Sequence, residues 1–162
     1  MCKETYQAIF GGKDECYSNK TSVSEKGRVF ELKHPKKSKE IFCCIEVDDC
    51  LIQDKSNRCD YLIIRCENAA FHFIELKGTD IMPGFNQLKT TIQHIQKKFK
   101  EYYKKNPKTI KIETEFHSFI VCRGVPKGAN SRINRAKEQF RKEMGHIPKV
   151  ISRKGIHPLS PL

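Results

Sequence analysis

Asp60, Glu75 and Lys77 are the residues of this chain whose types and spacing could do chemistry together. They lie in the stretch CDYLIIRCENAAFHFIELKG, residues 59–78, which reads as two short apolar strands joined by a tight turn. A two-residue loop at Glu67-Asn68 sets the register: Cys66 faces Ala69, and Asp60 falls opposite Glu75. Cross-strand partners stand about 4.5–5.5 Å apart at Cβ. One face would then hold Asp60, Leu62, Ile64 and Cys66 with Ala69, Phe71, Phe73, Glu75 and Lys77. That face is apolar, with two carboxylates and an amine at its open end. A slip of a single residue would send Asp60 to the other face. Asn68 tolerates left-handed geometry, which suits it to the turn.

Two carboxylates at that range repel, at a cost of about 3–4 kcal/mol in an effective dielectric near ~20. Lys77 offsets part of this, and one net negative charge remains. A hard divalent cation would remove it, and Mg²⁺ prefers such oxygen ligands. The plainer reading makes Asp60 a turn cap and Glu75 with Lys77 an exposed salt pair on a strand.

The elements that must position these residues follow from periodicity. Glu4 to Phe10 reads as one or two helical turns, and residues 11–20 as loop. Residues 28–33, RVFELK, alternate as a strand, and His34 to Lys39 form a basic loop. Ile41 to Val47 is a strand of the buried type. Asp48-Asp49 follows it, with Cys50-Leu51-Ile52 as its continuation past a bend. After the hairpin, Pro83 is placed to start a helix over about residues 85–104. Leu88, Ile92, Ile95, Phe99 and Tyr102 form its inward stripe. Residues 109–113 and 116–123 read as strands. Asn130 can cap a helix to Met144, with Ile133, Ala136, Phe140 and Met144 inward. Lys149 to Ser152 forms a last strand, and residues 156–162 a tail. The expected fold is a mixed α/β domain over residues 1–155, a central sheet flanked by helices.

Charge is divided along the chain. Residues 1–80 carry 13 Lys/Arg against 14 Asp/Glu, and residues 81–162 carry 18 against 5. A basic half suits a polyanion such as nucleic acid, although a lysine-rich surface also serves solubility. Arg123, Lys127, Arg132, Arg135 and Lys142 are the basic groups best placed to meet a phosphate chain. No apolar run nears the length of a membrane span, and the N-terminal residues lack the apolar core of a signal peptide. A cytoplasmic location is therefore expected. The eight cysteines include no C-x₂-C pair, so reduced, mostly buried thiols are expected. His72, His94 and His117 have no metal-ligand spacing and read as structural or surface groups.

The order strand, acid-bearing strand, E-x-K strand, helix, strand, helix resembles the PD-(D/E)XK nuclease superfamily over about residues 41–123. Asp60, Glu75 and Lys77 carry the likeness, and Gln87 falls where several members place a glutamine near the site. Cys59 stands where the motif's proline would be. The resemblance implies a restriction-endonuclease-like fold and a DNA endonuclease dependent on Mg²⁺, with Mn²⁺ as a substitute, acting in defence, restriction or repair. Asp60, Glu75 and the Leu76 carbonyl would hold the metal, and Lys77 would orient or deprotonate the attacking water. Many members add an upstream acid. Glu25, Glu31, Glu46, Asp48 and Asp49 compete for that role, with Asp49 or Glu46 nearest in sequence logic. A homodimer or a partner subunit would be in keeping with such small nucleases. The alternative is a nucleic-acid-binding or assembly subunit that keeps the fold without catalysis.

Overall fold

The computed structural model describes residues 2–34 and 39–160. Most of the basic loop expected at 34–39, residues 35–38, lies outside them, as do the last two residues of the expected tail. Three α-helices occur among the described residues: α1 (Cys2–Phe10), α2 (Met82–Lys105) and α3 (Asn130–Met144). The strands are β1 (Tyr17–Ser18), β2 (Ser22–Glu25), β3 (Arg28–Lys33), β4 (Phe42–Glu46), β5 (Tyr61–Arg65), β6 (Ala70–Leu76), β7 (Glu115–Cys122), β8 (Lys149–Ser152) and β9 (Lys154–Pro158). The fold is mixed α/β, as its periodicities require.

A six-stranded sheet in the order β1-β4-β5-β6-β7-β8 forms the centre. β1, β4, β5 and β6 pair antiparallel, whereas β6, β7 and β8 pair parallel. The two parallel steps need crossovers, and α2 and α3 supply them. All seven residues of β6 are buried, because it lies inside the sheet and both of its faces are covered. One face carries Leu62, Ile64, Phe71 and Phe73 against Phe10 of α1, Leu88, Ile92 and Phe99 of α2, and Ile133 and Phe140 of α3. The other carries Ile63, Ile74, Leu76 and Phe119 against Phe30 and Leu32 of β3. The helices thus occupy one face, and a three-stranded sheet, β2-β3-β9, covers the other. The alternation along β3 makes this possible: Arg28, Phe30 and Leu32 turn inward, and Phe30 packs on Phe119 at 4.6 Å between ring centroids.

Four expectations differ. Residues 11–20, expected as loop, hold a 3₁₀ turn (Asp14–Cys16) and β1, which the antiparallel pairing with β4 draws into the central sheet. Residues 109–113 form no strand. Ile110 is 89% exposed, and the Ile112 N–H donates to the Tyr103 hydroxyl at 2.8 Å rather than to a sheet. The expected tail supplies β9, which pairs parallel with β3 from Val29↔Lys154 to Lys33↔Pro158. No local periodicity marks it, since its pairing partner lies more than a hundred residues away. Asn130 is the first residue of α3 and not its cap; Ala129 takes that place, without a side-chain bond.

The cysteines also depart from the all-thiol expectation. Cys2–Cys66 ties α1 to the β5–β6 turn, and Cys16–Cys50 ties the 3₁₀ turn before β1 to the loop after β4. Their Cα separations, 6.0 and 5.6 Å, suit disulfides. Sequence spacing did not reveal them because the pairs are 64 and 34 residues apart. Cys43, Cys44, Cys59 and Cys122 are free and buried, as expected. Such bonds persist where thiols are not kept reduced, which sits against the intracellular reading of the cysteines. Alkylation of the denatured, unreduced protein should add four adducts by mass, and eight after reduction. Eight adducts without reductant would remove both bridges.

Candidate active site

The hairpin has the register that its two-residue turn predicts. Tyr61 pairs with Ile74, Leu62 with Phe73 and Arg65 with Ala70, which extends to Asp60 opposite Glu75. The left-handed residue of the turn is Ala69 (φ 49°) and not Asn68. Cys66, held by its disulfide to Cys2, enters the same turn. At the open end, the Asp60 Oδ2 accepts the Leu76 N–H at 2.7 Å. The N–H and C=O of one strand residue point the same way, so the Leu76 carbonyl lies on the Asp60 side of β6. The Lys77 Nζ stands 3.0 Å from the Glu75 Oε1, and its own N–H donates to the Val121 carbonyl at 2.7 Å.

Glu75 is the most confined member. Its side chain is 2% exposed, and its Oε2 is buried with no hydrogen-bond partner. Burial, then the Asp60 charge, pushes its carboxyl up to about 8, against the pull of Lys77. Burial likewise pushes Asp60 up to about 6; the Leu76 N–H and Lys77 lower it, while Glu25 and Asp48 raise it. Both acids therefore pay for desolvation in the ionised form.

The first turn of α2 closes over this end. Gly84 permits the approach: a Cβ there would stand 3.2 Å from the Ile120 Cδ1 and 3.4 Å from the Glu75 Cγ. One turn on, Gln87 donates through Nε2 to the Arg58 carbonyl at 3.1 Å. Its Oε1 is a second buried acceptor without a partner. Thr91 fixes the chain just before Asp60. Its Oγ1 accepts the buried Cys59 N–H at 2.8 Å and donates to the Gln87 carbonyl at 2.9 Å. Thr91→Val keeps the shape and orphans that N–H. We expect a loss of about 1–3 kcal/mol in denaturant unfolding; a midpoint unchanged from wild type would show that the bond does not hold β5.

Asp60, Glu75 and Lys77 thus meet, with Gln87 on the adjoining turn. The acids expected upstream are placed differently. Asp49 is ion-paired with Arg58 at 2.7 Å, beside Asp48 at 2.6 Å. Glu46 is exposed opposite Tyr61. Glu25 at the tip of the β2–β3 hairpin, together with Asp48, is the carboxylate whose field reaches Asp60. Glu25 is 35 positions from Asp60, and only the hairpin brings it near. Among the described residues, no group of three or more His, Cys, Asp or Glu is arranged to hold a metal ion. The orphaned Glu75 Oε2 and the neighbouring Asp60 carboxylate nevertheless form a hard oxygen donor pair that suits a divalent cation.

The basic groups lie to one side. Arg132, Arg135 and Lys142 line an open groove of about 1000 Å³ along α3 with Met82 and Ser131. Lys127 and Arg132 line a smaller cavity, about 230 Å³, with Thr79, Asp80 and Ile81 of the loop leaving β6. Arg123 follows β7, its N–H donating to the Gly78 carbonyl at 3.1 Å.

His72 and His117 stack at 5.0 Å between ring centroids, with His157 5.8 Å from His72, on the face opposite the acids. Burial lowers His72 to about 3 and His157 to about 4, so both are neutral. Cys59 is fully buried, and burial raises its thiol; Cys66 is in a disulfide. Neither is a nucleophile. No helix among the described residues is long and apolar enough to cross a membrane. No family profile, curated protein or solved structure matches the chain.

Proposed function

We propose that the protein is a metal-dependent phosphodiesterase acting on nucleic acid, DNA in the first instance, of the PD-(D/E)XK type. The observation that carries this reading is the Glu75 carboxylate, driven out of water beside Asp60 with one oxygen unpartnered. A sequence pays such a cost without return unless something neutralises the pair. A divalent cation held by Asp60, Glu75 and the Leu76 carbonyl would supply that charge and would polarise a phosphoryl oxygen as a Lewis acid. The chain's own residues have distinct tasks. The Leu76 N–H fixes the Asp60 carboxylate. Lys77, 21% exposed, presents a cation where negative charge develops on a phosphoryl group. Gln87 holds the strand entry through Arg58 and offers its free Oε1 to the site. Arg123, Lys127, Arg132, Arg135 and Lys142 attract the backbone.

A non-catalytic nucleic-acid-binding subunit is the second reading. It is favoured by Arg58, which neutralises Asp48 and Asp49 and leaves two carboxylates where a fuller ligand set would use three. The two readings part in one experiment. The protein is incubated with plasmid, single-stranded DNA and RNA in Mg²⁺, Mn²⁺ or EDTA, beside Glu75→Ala and Lys77→Ala. Metal-dependent cleavage lost in both variants is the expected result. Salt-sensitive binding without cleavage would support the second reading, and no affinity for nucleic acid would end both.

A further inference from the structure

Arg28 is a buried cation that nothing in the site so far employs. It is 6% exposed, and its Nε is buried without a hydrogen-bond partner. No carboxylate forms an ion pair with it among the described residues. Glu25, its register partner in β2, turns its carboxylate to Lys26 at 3.8 Å. An uncompensated buried guanidinium is destabilising in the free protein, so its retention points to an anion from outside the chain.

Two further arginines stand beside it. The Val29 N–H donates to the Arg153 carbonyl at 3.3 Å, and the Arg153 N–H donates to the Cys122 carbonyl. Arg123 comes next in the chain, bonded through its N–H to Gly78 just after Lys77. Arg28, Arg153 and Arg123 therefore follow one another across the sheet edge at which β6, β7 and β8 end. Arg153 is left-handed (φ 62°), and there the chain passes from the large sheet to the small one. The carboxyl ends of parallel strands are where ligands of α/β sheets bind. Asp60 and Glu75 lie at this same end, where the Lys77 N–H donates to the Val121 carbonyl at 2.7 Å and the Arg123 N–H to the Gly78 carbonyl at 3.1 Å.

We propose that Arg28, Arg153 and Arg123 form a seat for a phosphate group of the nucleic acid, at the sheet end that also holds the Asp60–Glu75 pair. The planar guanidinium matches phosphate oxygens in a two-pronged contact that lysine cannot copy. The seat rests on the reading of the acid pair as a phosphodiester site, and it explains how a strand would be registered on that pair. Either an internal phosphodiester or a 5′-terminal phosphate has the chemistry it takes.

Melting is followed with and without inorganic phosphate, against sodium chloride of equal ionic strength, in EDTA. Phosphate raises the wild-type Tm. Arg28→Met does not lower the Tm in phosphate-free buffer, because the charge removed has no partner, and it abolishes the phosphate-dependent rise. Binding of a fluorescein-labelled 20-base-pair duplex is measured in EDTA as a function of salt. Arg153→Ala and Arg123→Ala, both at exposed positions, each weaken it about 5–10-fold and reduce the log–log salt slope by about 0.9. Loss confined to a 5′-phosphorylated duplex, relative to a 5′-hydroxyl one, assigns the seat to an end; equal loss assigns it to an internal phosphate. Arg28→Met that melts lower and keeps the phosphate response makes Arg28 a structural group and overturns the seat. Wild-type affinity and slope in the two alanine variants overturn it as well, even if Arg28→Met fails to fold. Cleavage plays no part in these readouts. A nuclease with unaltered binding in the variants loses the seat alone, and a seat without cleavage loses the nuclease alone.

Discussion

Glu75→Gln raises the Tm of the metal-free protein at pH 9, by on the order of 10 °C, and changes it little at pH 5. The folded chain holds the Glu75 proton to about pH 8, whereas the unfolded chain releases it near its ordinary value of about 4.5. Between those values the native state binds more protons than the unfolded state. Stability therefore falls as pH rises through the window and levels off above it. Asp60, pushed up to about 6, adds in the same direction over the lower part. Glutamine copies the protonated acid in shape and cannot ionise. The difference between the proteins at pH 9 is on the order of 3–5 kcal/mol, and for a chain of this size each kcal/mol moves Tm by about 2–4 °C. Mg²⁺ should raise the wild-type Tm more at pH 8.5 than at pH 6, and should leave Glu75→Gln nearly unmoved, since an ion that binds only the folded state stabilises by mass action. Melting curves for the two proteins that run parallel from pH 5 to 9 would mean that Glu75 ionises normally and is not under strain.

With the acid pair as the proposed phosphodiesterase centre, Lys77→Ala and Glu75→Ala are each expected to slow cleavage by about 10²–10³-fold, for different reasons. Lys77 supplies a cation 3.0 Å from Glu75, beside the position a phosphoryl group would take. Its removal lowers turnover while metal-dependent stabilisation survives or increases, because the remaining carboxylates are then less neutralised. Glu75→Ala removes half of the oxygen donor pair, and metal-dependent stabilisation falls with turnover. Rates at saturating substrate, together with Mg²⁺ titrations of Tm, separate the two effects. If both variants lose Tm response and turnover alike, Lys77 acts by holding Glu75 in place and not on the reacting phosphate. If neither variant alters turnover, the acid pair is not the catalytic centre.

Local patterns go far in this chain because its central hairpin is local. Asp60 and Glu75 are joined by a short turn, and the period of two in the strands puts Leu62, Ile64, Phe71 and Phe73 on one face. The two-residue turn at Glu67-Asn68 fixes the register within that face, and so places the acids opposite each other. The stripe from Leu88 to Phe99 announced α2, and Ile133 with Phe140 announced α3, because helices also bury a face at a fixed period. The mixed α/β class followed from the succession of these periods.

What tertiary structure decided are the contacts made at long separation, for which a linear sequence has no period. Cys2 with Cys66 and Cys16 with Cys50 are cysteines like the other four until the fold sets their Cα atoms within bonding reach. The strand β9 was invisible because its partner, β3, lies more than a hundred residues away in the middle of the smaller sheet. Glu25 was one of five competing acids and Arg28 the first residue of an alternating strand until the β2–β3 hairpin folded over the sheet and carried them to the end that holds Asp60 and Glu75. The residues themselves determined an acid pair that repels, with a lysine to temper it. Only the three-dimensional packing decided that Glu75 is shut away from water, that Arg58 claims the aspartates of the preceding loop, and that an unpaired arginine lies at the same end. Burial sets those energies, and burial belongs to the whole chain.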